Sequence, residues 1–124
     1  MTDSEFDSLI TRAMNELPQK YIQGLDNVAI VMADQPSSEQ RQKMHLDSQH
    51  TLLGLYEGIP LTKRGTNYNL ILPDKITLFK NPILQSTGNE AELFEQVKRT
   101  LWHEIAHYYG LGHDRIDQLQ RDAE

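Results

Sequence analysis

A single α+β domain spanning residues 1–124 is what this sequence predicts. Three features carry that expectation: an amphipathic helical pattern at the amino terminus, short β-rich stretches through the middle, and a long, well-capped helix near the carboxyl end. The chain has 124 residues and a mass of 14.3 kDa. A chain of this mass hides roughly two-thirds of its unfolded surface, so a real core is expected, and any site should be a surface cleft instead of a deep cavity.

Phe6, Leu9, Ile10, Ala13, Met14 and Leu17 recur at helical spacing. Thr2 and Glu5 stand three apart as a capping box, and Pro18 closes or kinks the pattern. Gln19 to Leu25 reads as a short second helical piece that Gly24 helps to end, and Asn27 to Ala33 as a buried strand. Residues 35 to 50 are polar and give no clear element. Thr51 to Tyr56 is expected to be a second strand, and Glu57 to Asn69, with Gly58, Pro60 and Gly65, a loop bordering a site. Leu70 to Leu72 and Lys75 to Phe79 flank a Pro73-Asp74 turn, and the latter is the better strand. In the last helix Asn89 is the expected N-cap, with Glu92 completing a reciprocal box. Phe94, Val97, Leu101, Ile105 and Tyr108 fall on one face and should be its core side. Trp102 and Tyr109 share another face, expected to pack on the first helix.

Composition narrows the chemistry. The longest apolar run, Val28 to Ala33, has six residues, far short of the roughly 20 that span a membrane. The acidic stretch Thr2 to Asp7 is unlike a secretory signal, so a cytoplasmic location is expected. With no cysteine, disulfides, thiolate metal sites and cysteine nucleophiles are excluded, and a metal would have to be held by His, Asp or Glu. The net charge is −6, and the bases of the middle third, among them Arg41, Lys43, Lys63 and Arg64, are dispersed. Nucleic acid is therefore not an expected partner, because each neutralised phosphate needs its own cation.

Residues 103 to 114 read His-Glu-Ile-Ala-His-Tyr-Tyr-Gly-Leu-Gly-His-Asp. From this chain's own frequencies, H-E-x-x-H arises by chance on the order of 1% of the time and H-E-x-x-H-x-x-G-x-x-H on the order of 10⁻⁵. It is thus the extended pattern that points to a metal. Histidines at i and i+4 are about 40° apart around a helix and about 6 Å apart along it, so both imidazoles can reach one ion at ~2.0 to 2.1 Å. A third ligand on the next turn would leave that stripe. Gly110 stands where a left-handed residue can end the helix and let the chain fold back, bringing His113 or Asp114 towards the ion. Three ligands leave the fourth position to water, and Glu104, about 100° from His103, can accept a proton from that water but is poorly aimed as a ligand. One zinc per chain, held by His103, His107 and His113 with Glu104 as general base, would support hydrolysis of an amide bond. His45 and His50 read as surface residues.

This motif resembles that of the metzincin zinc peptidases, and the chain as a whole is similar to the small bacterial zincin-like metallopeptidases, minimal metzincins in outline. The likeness covers about residues 26 to 116 and includes Leu53 to Leu61, Leu72 to Phe79 and the metal helix. It implies a small mixed sheet packed against the amino-terminal helix and the metal helix. His103, His107 and His113 would be ligands, Glu104 the base, and a peptide or protein the substrate. The methionine turn of the large metzincins has no counterpart, since every methionine precedes His103. Two other readings use much the same ligands: an rRNA-maturing endoribonuclease, which has glycine where this chain has Glu104, and a zinc module without catalysis.

The spacing generates a test of the third ligand. Zinc dissociation constants of His113→Ala and Asp114→Ala, measured by chelator competition at one pH, should show the larger loss for His113→Ala. Asp114→Ala should lose only the roughly 10- to 100-fold typical of a carboxylate that orients a ligating histidine.

Overall fold

The computed structural model describes residues 1–44, 52–60 and 73–111. Helix α1 (Asp3–Glu16) starts on the expected box: Glu5 N–H donates to Thr2 Oγ1 at 3.1 Å, and Thr2 N–H donates to Glu5 Oε1 at 3.0 Å. Phe6, Ile10, Ala13 and Leu17 turn inward and are buried. Pro18 cannot continue the helix and serves as N-cap of α2 (Gln19–Gln23), which Gly24 closes.

Strand β1 (Val28–Ala33) follows, then α3 (Ser38–Lys43), β2 (Gly54–Glu57), β3 (Asp74–Phe79), α4 (Lys80–Gln85) and α5 (Glu90–Tyr108). Among the described residues the sheet has three strands in the order β1-β3-β2. β1 runs parallel to β3 with Ile30 opposite Ile76, and β2 runs antiparallel to β3 with Tyr56 opposite Ile76. The mixed sheet and its two covering helices agree with the predicted α+β architecture.

The burial of the strands departs from the sequence reading. The apolar run of β1 predicts a fully buried strand, but β1 lies at the margin of the sheet with most of its residues half-buried and Val31 39% exposed. β3 takes the centre instead: Ile76, Leu78 and Phe79 are fully buried there. Asp74, expected in a turn, is the first residue of β3. Two helices lie where the sequence suggests none. α3 is opened by Ser37 and Gln40, whose side chains and backbone N–H groups form a capping box at 3.1 and 2.9 Å. α4 carries Pro82 in its first turn, where a missing N–H costs little. Leu70 to Leu72 lie outside the described residues.

Helix α5 closes the core. Val97, Leu101 and Ile105 are fully buried, and Phe94 and Tyr108 join them, as the periodicity requires. The stripe packs with Ile76 and Leu78 of β3 and with Phe6 and Ile10 of α1 in one apolar cluster. Only half of the box at its start forms: Asn89 Oδ1 accepts from Glu92 N–H at 2.9 Å, but the Glu92 carboxylate takes the N–H of Gly88 at 2.6 Å. Trp102 lies in the apolar cluster that holds Phe6 and Ile10 of α1, with Tyr109 packed against that cluster, and both rings also find an aromatic partner on α2. Tyr21 meets both rings edge-on, at 5.1 and 5.4 Å, and Tyr109 Oη donates to its carbonyl oxygen at 2.7 Å. No helix among the described residues is long and apolar enough to cross a membrane.

Phe6 is fully buried where α1 meets this cluster. Phe6→Ala should cost about 3 to 5 kcal/mol in denaturant unfolding. A change below about 1 kcal/mol would show that α1 is not part of the cooperative core.

Candidate metal centre

The core stripe of α5 fixes where the remaining side chains of the helix point. With Val97, Leu101 and Ile105 buried inward, one turn separates His103 from His107 on an adjoining face. Their rings stand 4.6 Å apart, centroid to centroid, with planes at 80°. Glu104 lies between this pair and the core and is only 7% exposed. One donor atom from each of His103, Glu104 and His107 falls within 4.8 Å of the other two.

The end of the helix follows the sequence expectation closely. Tyr109 is the C-cap and Gly110 has φ 77°, a left-handed conformation that suits glycine. Gly110 N–H donates to His107 O at 2.9 Å and Leu111 N–H to Ala106 O at 3.1 Å, the paired bonds of a Schellman ending. The helix therefore stops just beyond His107. His113, Asp114, His45 and His50 lie outside the described residues.

A strand covers Glu104. The backbone N–H of Tyr56 in β2 donates to its carboxylate, while burial pushes its pKa up from 4.5 to about 7, because desolvation penalises the charge more than this one hydrogen bond relieves it. Tyr56 is itself held at its far end. Its hydroxyl donates to Asp74 Oδ2 at 2.6 Å, and its ring meets Tyr108 edge-on at 6.2 Å. Tyr108 Oη in turn accepts from Asp26 N–H at 3.1 Å. Beside the three donors lies a cleft of about 420 Å³ whose walls include Met44, Leu52, Leu55 and Pro60.

This donor set fits zinc. Two imidazoles one helical turn apart supply neutral nitrogen ligands, and a carboxylate held partly desolvated beside them is the kind of group that a nearby cation stabilises. What the sequence does not reveal is the part played by β2 and α3. Tyr56 acts through its backbone and so leaves no side-chain signature. Met44 belongs to a stretch that reads as featureless and polar, although Ser37 and Gln40 are the start signal of a short helix. Gly54, inside a strand pattern, is the one available sign of a close backbone approach.

Burial of Glu104 couples the stability of the metal-free chain to pH. Between the ordinary 4.5 and about 7 the folded carboxyl holds a proton that the unfolded chain has released, so its contribution, complete at low pH, is lost as pH rises through about 7. Unfolding free energy of the metal-free protein should therefore fall across that window by at most about 3 kcal/mol more in the wild type than in Glu104→Gln. Parallel curves for the two proteins in urea would contradict this.

Comparison with known proteins agrees with the fold. A solved structure of a conserved hypothetical protein from Thermus thermophilus is 23% identical, aligns over 88% of this chain and 94% of that one, and superposes with a TM-score of 0.58. No curated protein matches. The sequence profile of the zincin-like metallopeptidases matches residues 25–123, which takes in the three described strands, α5 and the segment beyond it. The chain belongs to the zincin-like metallopeptidase family.

Proposed function

We propose that this protein is a zinc-dependent metallopeptidase acting on peptides or proteins, with one zinc held by His103, His107 and His113 and with Glu104 as general base. A cytoplasmic location is part of the same proposal. The observation that carries it is the desolvated Glu104 carboxylate lying within 4.8 Å of the nitrogens of His103 and His107 at the margin of the sheet. Bound zinc would supply a Lewis acid for the scissile carbonyl and lower the pKa of the attacking water to about 7.

Glu104 accepts a proton from the attacking water at its carboxylate and returns it to the leaving amine, so the residue ends the cycle as it began. Burial makes it a stronger base than a carboxylate in water, which suits it to that transfer. β2 supplies a place for the substrate backbone. Leu53 O accepts from Phe79 N–H at 2.9 Å, and the antiparallel alternation then turns the N–H and C=O of Gly54 away from β3. Among the described residues β2 is paired on one side only, so an extended peptide can add beside Gly54 as a further strand. The apolar walls of the cleft suit an uncharged, apolar substrate side chain.

The test pairs metal content with cleavage. The wild type should carry about one zinc per chain and cleave members of an unbiased peptide library. Glu104→Gln should keep its zinc and lose about 10² to 10⁴ in rate. Cleavage by Glu104→Gln at the wild-type rate would remove the base from the scheme, and cleavage of RNA but not of peptides would replace the reaction.

A further inference from the structure

A general base is useful only if its oxygen is held where the proton must be taken, and a glutamate has three side-chain torsions with which to miss. On α5 nothing in the helix itself fixes those torsions. The strand packed against it does. The N–H of Tyr56 points to the outer margin of β2 and donates to the Glu104 carboxylate. The rest of Tyr56 is anchored independently of α5's catalytic face by its 2.6 Å hydrogen bond to Asp74, which is 3% exposed.

The same strand can come this close because residue 54 has no side chain. A Cβ built on Gly54 would stand 2.6 Å from Thr100 Cγ2 and 3.3 Å from both Glu104 Cγ and Leu78 Cδ2. Thr100 cannot easily retreat. It is β-branched and helical, which restricts its χ1, it is buried, and its hydroxyl already accepts from Gln96 Nε2 at 2.9 Å. Any side chain at 54 must therefore lift β2 away from α5, and the Tyr56 N–H leaves Glu104 with it. Gly58 acts in the same sense one residue beyond the strand, since a Cβ there would run into the Asp74 side chain that anchors Tyr56.

We infer that β2 is the positioning device of the general base: Gly54 sets the distance between strand and helix, and the backbone N–H of Tyr56 fixes the Glu104 carboxylate. Gly54 and Tyr56 are thus positioning residues that act through Glu104. This inference deepens the peptidase reading and rests on it for its kinetic consequence, but the clamp is a structural statement that can be tested without substrate.

Amide hydrogen exchange tests the clamp. The backbone groups of Leu55 and Glu57 face β3, whereas the outward N–H of Tyr56 meets Glu104. In the wild type all three amides should be protected. In Glu104→Ala the Tyr56 amide should lose at least about tenfold in protection while Leu55 and Glu57 keep theirs, which also shows that the variant is folded. A Tyr56 amide that exchanges freely in the wild type, or is unchanged in Glu104→Ala, overturns the inference. Kinetics then test its consequence on a peptide the wild type cleaves. Gly54→Ala should lower kcat by roughly 10- to 100-fold with KM and zinc affinity within about twofold. Adding Thr100→Ser, which removes the obstructing methyl and keeps the hydroxyl, should restore most of the loss. A Gly54→Ala enzyme with wild-type kcat, or a loss that Thr100→Ser leaves untouched, overturns the positioning role. A wild type that cleaves no peptide refutes the peptidase reading instead, and the exchange experiment still decides the clamp.

Discussion

Helix α5 has to bury one face completely while leaving the next within reach of solvent, and the fold follows from that requirement. Its stripe of Val97, Leu101 and Ile105 finds enough apolar surface only by meeting the central strand and α1 together. Once that contact is made the helix cannot rotate. A turn of a few tens of degrees would expose the stripe and sink the histidines, at roughly 25 cal/mol for every Å² of apolar surface returned to water. The orientation of His103 and His107 is thus set by residues outside the donor set. The sheet is arranged for the same contact: β3 lies in the middle, where a strand can be covered on both sides, and β1 and β2 flank it.

Much of this is legible because helices write their environment into the sequence with a short period. The core face of α5, its Asn89 cap, the left-handed Gly110 and the α1 box are all local features, each decided by residues within a turn of one another. The two histidines and the glutamate belong to the same class, since the helix alone brings them to one side. The strands are harder to read. Val28 to Ala33 has the composition of a buried strand, yet burial depends on which strand takes the centre, and that is decided by pairing with residues some 46 positions away. A strand at the margin and one in the middle can share the same apolar run. The partner of Trp102 and Tyr109 is hidden for a similar reason, because Tyr21 becomes available only through the way α2 follows Pro18.

The setting of Glu104 is the least legible part of the site. Its sequence position says that it faces roughly towards the histidines, but not that a strand covers it. The cover comes from a backbone donor and an absent side chain, and neither has a residue-type signature beyond a single glycine. The cost is an ordinary carboxyl driven to about 7 by desolvation. The fold tolerates that cost because the strand that strips water from Glu104 also supplies Leu55 to the core and Tyr56 to the Asp74 anchor.

The separation in sequence between α5 and β2 has a consequence for assembly. His103 and His107 become neighbours as soon as one turn of helix forms, an event of well under a microsecond in isolated helices. Glu104 acquires its cover only when Tyr56, 48 positions earlier in the chain, arrives on β2, and contacts of such long range form late because loop closure must come first. A newly made chain can therefore offer two metal-binding nitrogens before its carboxylate is in place. On the proposed function, binding an ion and using it would be separated in time, with the second deferred until the sheet is complete.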